Sequence, residues 1–179
     1  MADSPPLPPA LASLLGPAGL LTEPSDLAPV LADWRSLYQG RALALLRPAN
    51  TAELAEAVRL CSATGIAIVP QGGNTSMVGG ATPDGSGRTV IVSLARMNRI
   101  RDLDPLDMTM TAEAGVVVKT AQEAAAAAGC LFPLSFGGEG TAMIGGVLST
   151  NAGGAAQPHR FGQFGGIGGT QQRQSPALV

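Results

Sequence analysis

Apolar residues at helical spacing begin the chain and predict two short N-terminal helices. Intervals of three and four residues separate Leu11, Leu14 and Leu15, so one face of this segment is apolar. The same spacing recurs at Leu27, Val30, Leu31 and Trp34. The apolar run at 42–46 ends at Pro48, as a strand followed by a turn does.

After residue 50 the pattern alternates between helix and strand. Asn50 is placed to cap a third helix, and Gly65 is placed to end it. The apolar face of that helix is expected to hold Leu54, Val58 and Cys61. Short apolar or alternating runs predict strands at 66–69, 89–94 and 108–112.

The last periodic segment is an alanine-rich helix predicted at 120–128, which Gly129 ends. Strands that alternate with helices in this way are typical of a layered α/β or α+β domain. The periodic part of the chain therefore predicts one mixed domain with sheets and helices packed together.

The two ends of the chain differ from its middle. Four prolines lie within residues 1–9, which predicts a disordered leader. Residues 155–179 hold 5 of the 8 glutamines and no acidic residue, and they show neither a helical nor a strand period. This segment is either a natural flexible tail or an unstructured, frame-shifted end.

Composition and charge exclude several partner classes. Hydrophobic residues make up 45% of the chain and charged residues only 13%, which is the opposite of the signature of disorder. A formal net charge of −2 gives no general attraction to nucleic acid or to anionic membranes. No apolar run approaches the ~18 residues of a transmembrane helix. A solvated loop is the expected place of the clustered Arg96, Arg99 and Arg101.

Cysteine use indicates a reducing compartment. Cys61 and Cys130 are too few and too far apart for a disulfide scaffold or a metal site. Two buried thiols are therefore expected. The acidic, proline-rich N-terminus also lacks the features of a signal peptide. We expect a cytoplasmic location.

Most familiar catalytic sets are excluded by residue type. The single histidine, His159, lies in the segment without a period, so a Ser-His-Asp or Cys-His arrangement within the folded part is excluded. The scarcity of histidine and cysteine also argues against a zinc site. The single lysine, Lys119, follows three valines and not a glycine-rich turn, and no GxGxxG motif opens a helix after a strand. No catalytic residue is nominated, and no metal is expected.

Two glycine-dense stretches remain as candidates. The first, PQGGNTSMVGG at 70–80, directly follows a predicted strand. Its glycines let a ligand approach the main chain, and successive exposed N–H groups bind phosphate without a cationic side chain. We expect Gly73 and Gly79 to be needed for that approach. The alternative interpretation is a wide turn in a glycine-rich chain.

The second stretch, GGEGTAMIGGVLSTNAGG at 137–154, is read as a loop with an apolar insert. A loop that only connected two elements would not need Ile144, Val147 and Leu148. These apolar residues are better explained if the backbone of the loop packs against a planar apolar ring. The alternative interpretation is a loop that lies beneath the sheet. Two such loops favour a large cofactor that carries both phosphate and a ring.

Three segments resemble a known family: 47–61, 70–80 and 133–154. They are similar to the FAD-binding domain of the vanillyl-alcohol oxidase/p-cresol methylhydroxylase superfamily. Within it they most resemble the FAD-linked D-2-hydroxy-acid dehydrogenases, which act on D-lactate, glycolate or D-2-hydroxyglutarate. The resemblance covers about residues 10–154 and implies an α+β fold with small mixed sheets and flanking helices. It implies only the N-terminal part of that domain.

The resemblance also implies a set of cofactor-binding residues. The FAD pyrophosphate would be bound by Gln71, Gly72, Gly73, Asn74, Thr75, Val78 and Gly79. The flavin and its linker would run beside Pro133, Gly140, Thr141, Gly145, Gly146, Asn151 and Gly153. Residues 10–154 contain no histidine for a covalent flavin bond, so non-covalent FAD is implied.

The implied activity is hydride transfer from a D-2-hydroxy acid to FAD, with an unspecified electron acceptor. The family continues beyond Gly154 with further strands and a substrate domain, neither of which this sequence matches. One alternative is a non-catalytic flavin-binding fragment, or a subunit that a partner chain completes. Another is an unfolded pseudogene product, because an incomplete sheet exposes unpaired edges.

Overall fold

A computed structural model describes residues 5–152 of the chain. The α-helices are α1 (Ala10–Gly19), α2 (Pro24–Leu27), α3 (Thr51–Ala63), α4 (Val118–Ala127) and α5 (Ile144–Ser149), and a 3-10 helix covers Ala28–Val30. The strands are β1 (Leu20–Leu21), β2 (Ala44–Leu46), β3 (Ala67–Gln71), β4 (Thr89–Ser93), β5 (Ile100–Asp104) and β6 (Thr109–Ala112). The expected tail at 155–179 and the first four residues of the expected leader lie outside the described residues.

The larger sheet is mixed and has the strand order β1-β2-β4-β3. β1 pairs antiparallel with β2, whereas β4 pairs parallel with both β2 and β3. In the parallel register Leu45 lies opposite Ile91, and Gln71 lies opposite Ser93. The small mixed sheets of the expected α+β fold are confirmed.

Alternation along the two central strands gives this sheet two apolar faces. On one face Leu46 and Val90 pack with Leu11 of α1 and Cys61 of α3, and all four are buried. On the other face Leu45 and Ile91 pack with Leu27 at the end of α2. The sheet is therefore a middle layer between helices.

The part of the leader that the structure describes is packed. Leu7 lies against the core cluster of α1 and α3, and Pro8 is buried. The backbone N–H of Leu11 also donates to the carbonyl of Pro8, at 3.0 Å. Residues 5–9 thus differ from the disordered leader that the prolines predicted, because Leu7 has an apolar surface to cover.

The second predicted helix is shorter than its apolar spacing suggested. It ends in the 3-10 turn Ala28–Val30, and Trp34 is 61% exposed. The carboxylate of Asp33 accepts backbone hydrogen bonds from the residues that follow it, which competes with a helix. The face predicted for α3 is also shifted, since Ala57 is buried and Val58 is 42% exposed.

A second, two-stranded sheet follows, in which β5 pairs antiparallel with β6. The alternation at 108–112 predicted β6, but β5 was expected to be a solvated loop of arginines. Arg99 and Arg101 both pair with Glu113, whose side chain is only 1% exposed. Together with the pairing to β6, this shared carboxylate links the arginine segment to the residue that follows β6. Among residues 5–152, no helix is long and apolar enough to cross a membrane.

Candidate functional site

The two glycine-rich stretches come together around a cleft of about 650 Å³. Residues 70–78 line one side of it, and residues 142–147 contribute to the other. Val92 and Leu94 form part of its floor, because β4 ends beside β3 in the parallel sheet. The described lining contains no charged side chain.

The first loop, residues 70–80, is anchored by two amide side chains. Gln71 is buried, and its Nε2 donates to the carbonyls of Val30 and Ala81 at 3.0 and 2.8 Å. Asn74 has a φ of 52°, and its Nδ2 donates to the carbonyl of Ala32 at 2.7 Å. Its Oδ1 is buried with no described partner. Both side chains therefore attach the loop to the segment after α2.

The backbone N–H groups of residues 73–77 donate no hydrogen bond to any residue that the structure describes. Consecutive unpaired N–H groups in a turn form a concavity of partial positive charge. In a described lining without cationic side chains, these groups and the hydroxyls of Thr75 and Ser76 are donors that could hold an anion. The arrangement suits a phosphate oxygen, which accepts several hydrogen bonds at once.

The two loops touch through bare backbone. A Cβ on Gly73 would overlap the carbonyl of Thr141, so the approach requires glycine at this position. The second loop is held in turn by the backbone N–H of Ile144, which donates to Val116 at 2.8 Å. Gly145 donates to Ala114 at 2.8 Å, and a Cβ there would meet the Ala114 Cβ at 2.8 Å.

The stretch predicted as a loop at 137–154 contains the helix α5. The apolar residues of the insert have different surroundings on this helix: Val147 lines the cleft, whereas Leu148 is 75% exposed. Leu148 and Ile144 line a second, apolar cavity of about 320 Å³ beside β6, to which Val147 also contributes. Spacing of the apolar residues at 144, 147 and 148 was a helical signal, but the glycines between them obscured it.

A family model described as "FAD binding domain" matches residues 42–162. This match covers more than half of the chain and includes both loops. The chain belongs to the FAD-binding domain family. FAD, the cofactor implied by the sequence, is confirmed as the cofactor of this domain.

Curated relatives agree with this assignment. The chain is 36% identical over 154 residues to "D-2-hydroxyglutarate dehydrogenase, mitochondrial" of Bos taurus, which covers 86% of this chain and 27% of that protein. It is also 36% identical over 135 residues to "D-2-hydroxyglutarate dehydrogenase" of Xanthomonas citri pv. viticola, with 75% of this chain and 28% of that protein covered. The chain thus spans about a quarter of the length of these relatives.

Solved structures show the same fold. An alkyldihydroxyacetonephosphate synthase matches with a TM-score of 0.73 and 20% identity, over 86% of this chain and 31% of that one. A p-cresol methylhydroxylase with substrate bound matches with a TM-score of 0.60 and 25% identity, over 70% of this chain and 25% of that one. The expected resemblance to the p-cresol methylhydroxylase type of FAD-binding domain is confirmed.

The cleft of this FAD-binding domain is lined by eight of the residues that the sequence nominated. They are Gln71, Gly72, Gly73, Asn74, Thr75, Val78, Gly145 and Gly146. Gly79, Gly140, Thr141 and Asn151 are not part of the lining, and Pro133 lines the second cavity. Gly153 lies outside the described residues.

Two of these glycines also make room for the protein itself. The expectation that Gly73 and Gly79 leave room for a ligand stays a prediction, and each lies close to other protein atoms as well. A Cβ on Gly79 would lie 2.7 Å from the Tyr38 ring, and φ there is 70°. By contrast, a Cβ on Gly146 meets nothing within 4 Å, so Gly146 is open towards the cleft that it lines.

Sequence reasoning missed the apolar walls of the FAD-binding domain's cleft. They include Phe136, Ala142, Met143, Val92 and Leu94. Val92 and Leu94 could have been found from their place at the carboxyl end of a strand parallel to the one before the first loop. Phe136 and Met143 gave no such signal, because their position beside the cleft depends on the path of residues 133–143 in the folded chain.

Proposed function

We propose that this chain binds FAD non-covalently in the cleft between its two glycine-rich loops, as part of an FAD-linked D-2-hydroxy-acid dehydrogenase. The observation that carries the proposal is the run of backbone N–H groups at 73–77 that donate to no described residue, beside a cleft whose described lining has no charged side chain. Such a surface suits a pyrophosphate that brings its own charge.

The residues present fit the cofactor in three ways. The backbone amides at 73–77, which donate to no residue that the structure describes, are available to the pyrophosphate. Phe136, Met143 and Val147 provide apolar wall for a ring system. Gly146 leaves the backbone of α5 open to a planar group.

These observations support different roles for the two loops, one at the pyrophosphate and the other at the flavin. We assign Gln71, Gly72, Gly73, Asn74, Thr75, Val78 and Gly79 to shaping or contacting the pyrophosphate segment. We assign Pro133, Gly140, Thr141, Gly145, Gly146, Asn151 and Gly153 to the flavin side. Within the first set, Gln71 and Gly79 act on the shape of the loop, since they contact protein.

The proposed substrate class is a D-2-hydroxy acid, by analogy with the bovine and Xanthomonas relatives named for D-2-hydroxyglutarate. When bound, the flavin supplies the redox chemistry by accepting a hydride from the substrate carbon. The residues described here hold and orient that ring. None of the described residues that line the cleft is titratable near neutral pH, so the proposal assigns no proton transfer to them.

A second candidate is a flavin-binding subunit that a separate polypeptide completes. The described residues that line the cleft offer no cationic side chain to the carboxylate of a 2-hydroxy acid, which favours an arrangement in which substrate contacts come from elsewhere. The two candidates share the cofactor site and differ in whether this chain alone can be reduced by a substrate.

One titration separates these possibilities. The full 179-residue chain is purified, mixed with FAD and followed by quenching of flavin fluorescence, and then exposed without oxygen to D-2-hydroxyglutarate, D-lactate or glycolate. Bleaching of the flavin band by any of them supports the dehydrogenase. Binding without bleaching supports the subunit, and absence of binding by a folded chain overturns both.

We also propose a cytoplasmic location, on the basis of the two thiols. Cys61 and Cys130 are both buried and unpaired, and burial raises the pKa of the Cys61 thiol. Inert, reduced thiols are typical of reducing compartments. Fractionation of the source cells tests this, and recovery with mitochondria, the compartment in the bovine relative's name, would contradict it.

A further inference from the structure

The turn at residues 33–38, here named the support turn, is organised around one buried carboxylate. Asp33 is 4% exposed. Its Oδ1 accepts the backbone N–H groups of Leu37 and Tyr38, both at 2.7 Å, and its Oδ2 accepts that of Arg35 at 3.2 Å. Three backbone donors on one carboxylate define the path of the turn.

The support turn and the residues just before it contact the first glycine-rich loop at three points. Gln71 donates to the carbonyl of Val30, and Asn74 donates to the carbonyl of Ala32, the neighbour of Asp33. The third point is the Tyr38 ring, against which Gly79 lies so closely that a Cβ would come within 2.7 Å. Both ends and the middle of the loop are therefore held by this segment.

The loop has few internal constraints of its own. Residues 73–77 donate no described backbone hydrogen bond, and Asn74 has a positive φ that side chains rarely adopt. Its shape must then be set from outside, by the support turn on one side and by the contact of Gly73 with Thr141 on the other. A binding site is preorganised when such neighbours fix its geometry before the ligand arrives.

We propose that Asp33 is a positioning residue for the FAD loop: through the support turn it holds the loop in its binding conformation. Asp33 itself does not line the cleft. Its effect passes through the Ala32 carbonyl to Asn74 and through the Tyr38 ring to Gly79. This inference rests on the proposed FAD site, and it adds a residue that the sequence did not nominate.

The test compares Asp33→Ala, Asp33→Asn and a matched control, Asp104→Ala, in the full chain. Asp104 is also a carboxylate that accepts two backbone N–H groups in a turn, at 2.8 and 3.2 Å, but it lies in the β5–β6 hairpin. For Asp33→Ala we expect FAD affinity to fall about tenfold, which equals about 1.4 kcal/mol. Asp33→Asn, which retains an acceptor oxygen, should recover most of the affinity, and Asp104→Ala should bind FAD normally.

A second readout needs no cofactor. The side-chain amide protons of Gln71 and Asn74 are followed by NMR exchange with solvent, because both groups donate to backbone carbonyls of this segment. Asp33→Ala should speed their exchange, whereas Asp104→Ala should not. If the unsubstituted chain fails to bind FAD, the proposed function fails while this measurement still tests the role of Asp33.

Three results would overturn the inference. One is unchanged FAD affinity in folded Asp33→Ala, and another is an equal loss in Asp104→Ala. The third result concerns Tyr38→Ala, which is used if Asp33→Ala does not fold. Tyr38 is 45% exposed and is not part of the buried core. Unchanged FAD affinity in Tyr38→Ala would then overturn the inference.

Discussion

Gly73 and Thr141 meet backbone to backbone, and a Cβ on Gly73 would overlap the Thr141 carbonyl. This contact joins two loops that lie almost seventy positions apart in the chain. It closes one side of the cleft between them, and it depends on the absence of a side chain at one position.

The first prediction concerns this contact. Gly73→Ala should destabilise the fold by about 1–3 kcal/mol, because the added methyl forces the loops apart. Gly72→Ala is the matched control, since its Cβ would lie at an ordinary 3.5 Å from the Met143 Cβ. Urea unfolding measures both variants. Equal stability of the two would show that the loops separate without cost.

A second prediction distinguishes a glycine that leaves room for the ligand from one that does not line the cleft. Gly146→Leu should block FAD binding without loss of stability. Gly146 lines the cleft and is open around its Cβ position, and it lies in α5, where leucine is a better helix former than glycine. Gly137→Leu is the control, because Gly137 is equally open, does not line the cleft and is not among the residues assigned to the flavin. Flavin fluorescence and thermal unfolding are measured together.

FAD binding by Gly146→Leu and by its control decides whether α5 belongs to the cofactor site. Normal FAD binding by Gly146→Leu would remove α5 from the cofactor site. Loss of binding in both variants would instead point to a general effect on residues 137–149, and the assignment of the cleft would then be wrong.

The third prediction is a pH dependence that Glu113 causes. The backbone N–H of Arg99, followed by its guanidinium and that of Arg101, lowers the pKa of Glu113 from 4.5 to about 2. The folded chain therefore keeps this carboxylate charged where the unfolded chain protonates it. Its stabilisation is complete above pH 4.5 and is lost as the pH falls through about 2.

Urea unfolding of the unsubstituted chain and of Glu113→Gln, between pH 7 and pH 2, measures this effect. The variant should be less stable at pH 7, and the two curves should converge towards pH 2. Glu56→Gln is the control, because Glu56 forms an exposed pair with Arg59 and should change little. A gap for Glu113→Gln that does not vary with pH would contradict the ion-pair explanation.

The fourth prediction tests the start of α3. The Oδ1 of Asn50 accepts the backbone N–H of Glu53 at 2.9 Å, and the Glu53 carboxylate accepts that of Ala49, the residue before the cap, at 2.7 Å. Asn50→Ala should cost about 1 kcal/mol in unfolding free energy. Ser62→Ala, at an exposed position of the same helix, should cost nothing measurable. An equal cost for both would mean that the cap contributes nothing.

Local patterns predicted the elements whose reasons are local. The cap at Asn50, the end of the alanine-rich helix at Gly129 and the alternation in β6 all lie near their predicted bounds. β5 was missed because its partners, the strand β6 and Glu113, contact it through pairings that no periodicity within the segment reveals. The second helix was overextended because the Asp33 carboxylate offered its backbone another partner.

For the cofactor site, the family and the two glycine-rich stretches follow from the sequence, since glycine density and the motif at 70–80 are properties of short segments. What each glycine does follows from the folded chain. Gly73 and Gly79 make room for Thr141 and Tyr38, while Gly146 is open to the cleft. The reason is physical: a missing Cβ permits close approach, but which atom approaches depends on contacts between residues far apart in the chain.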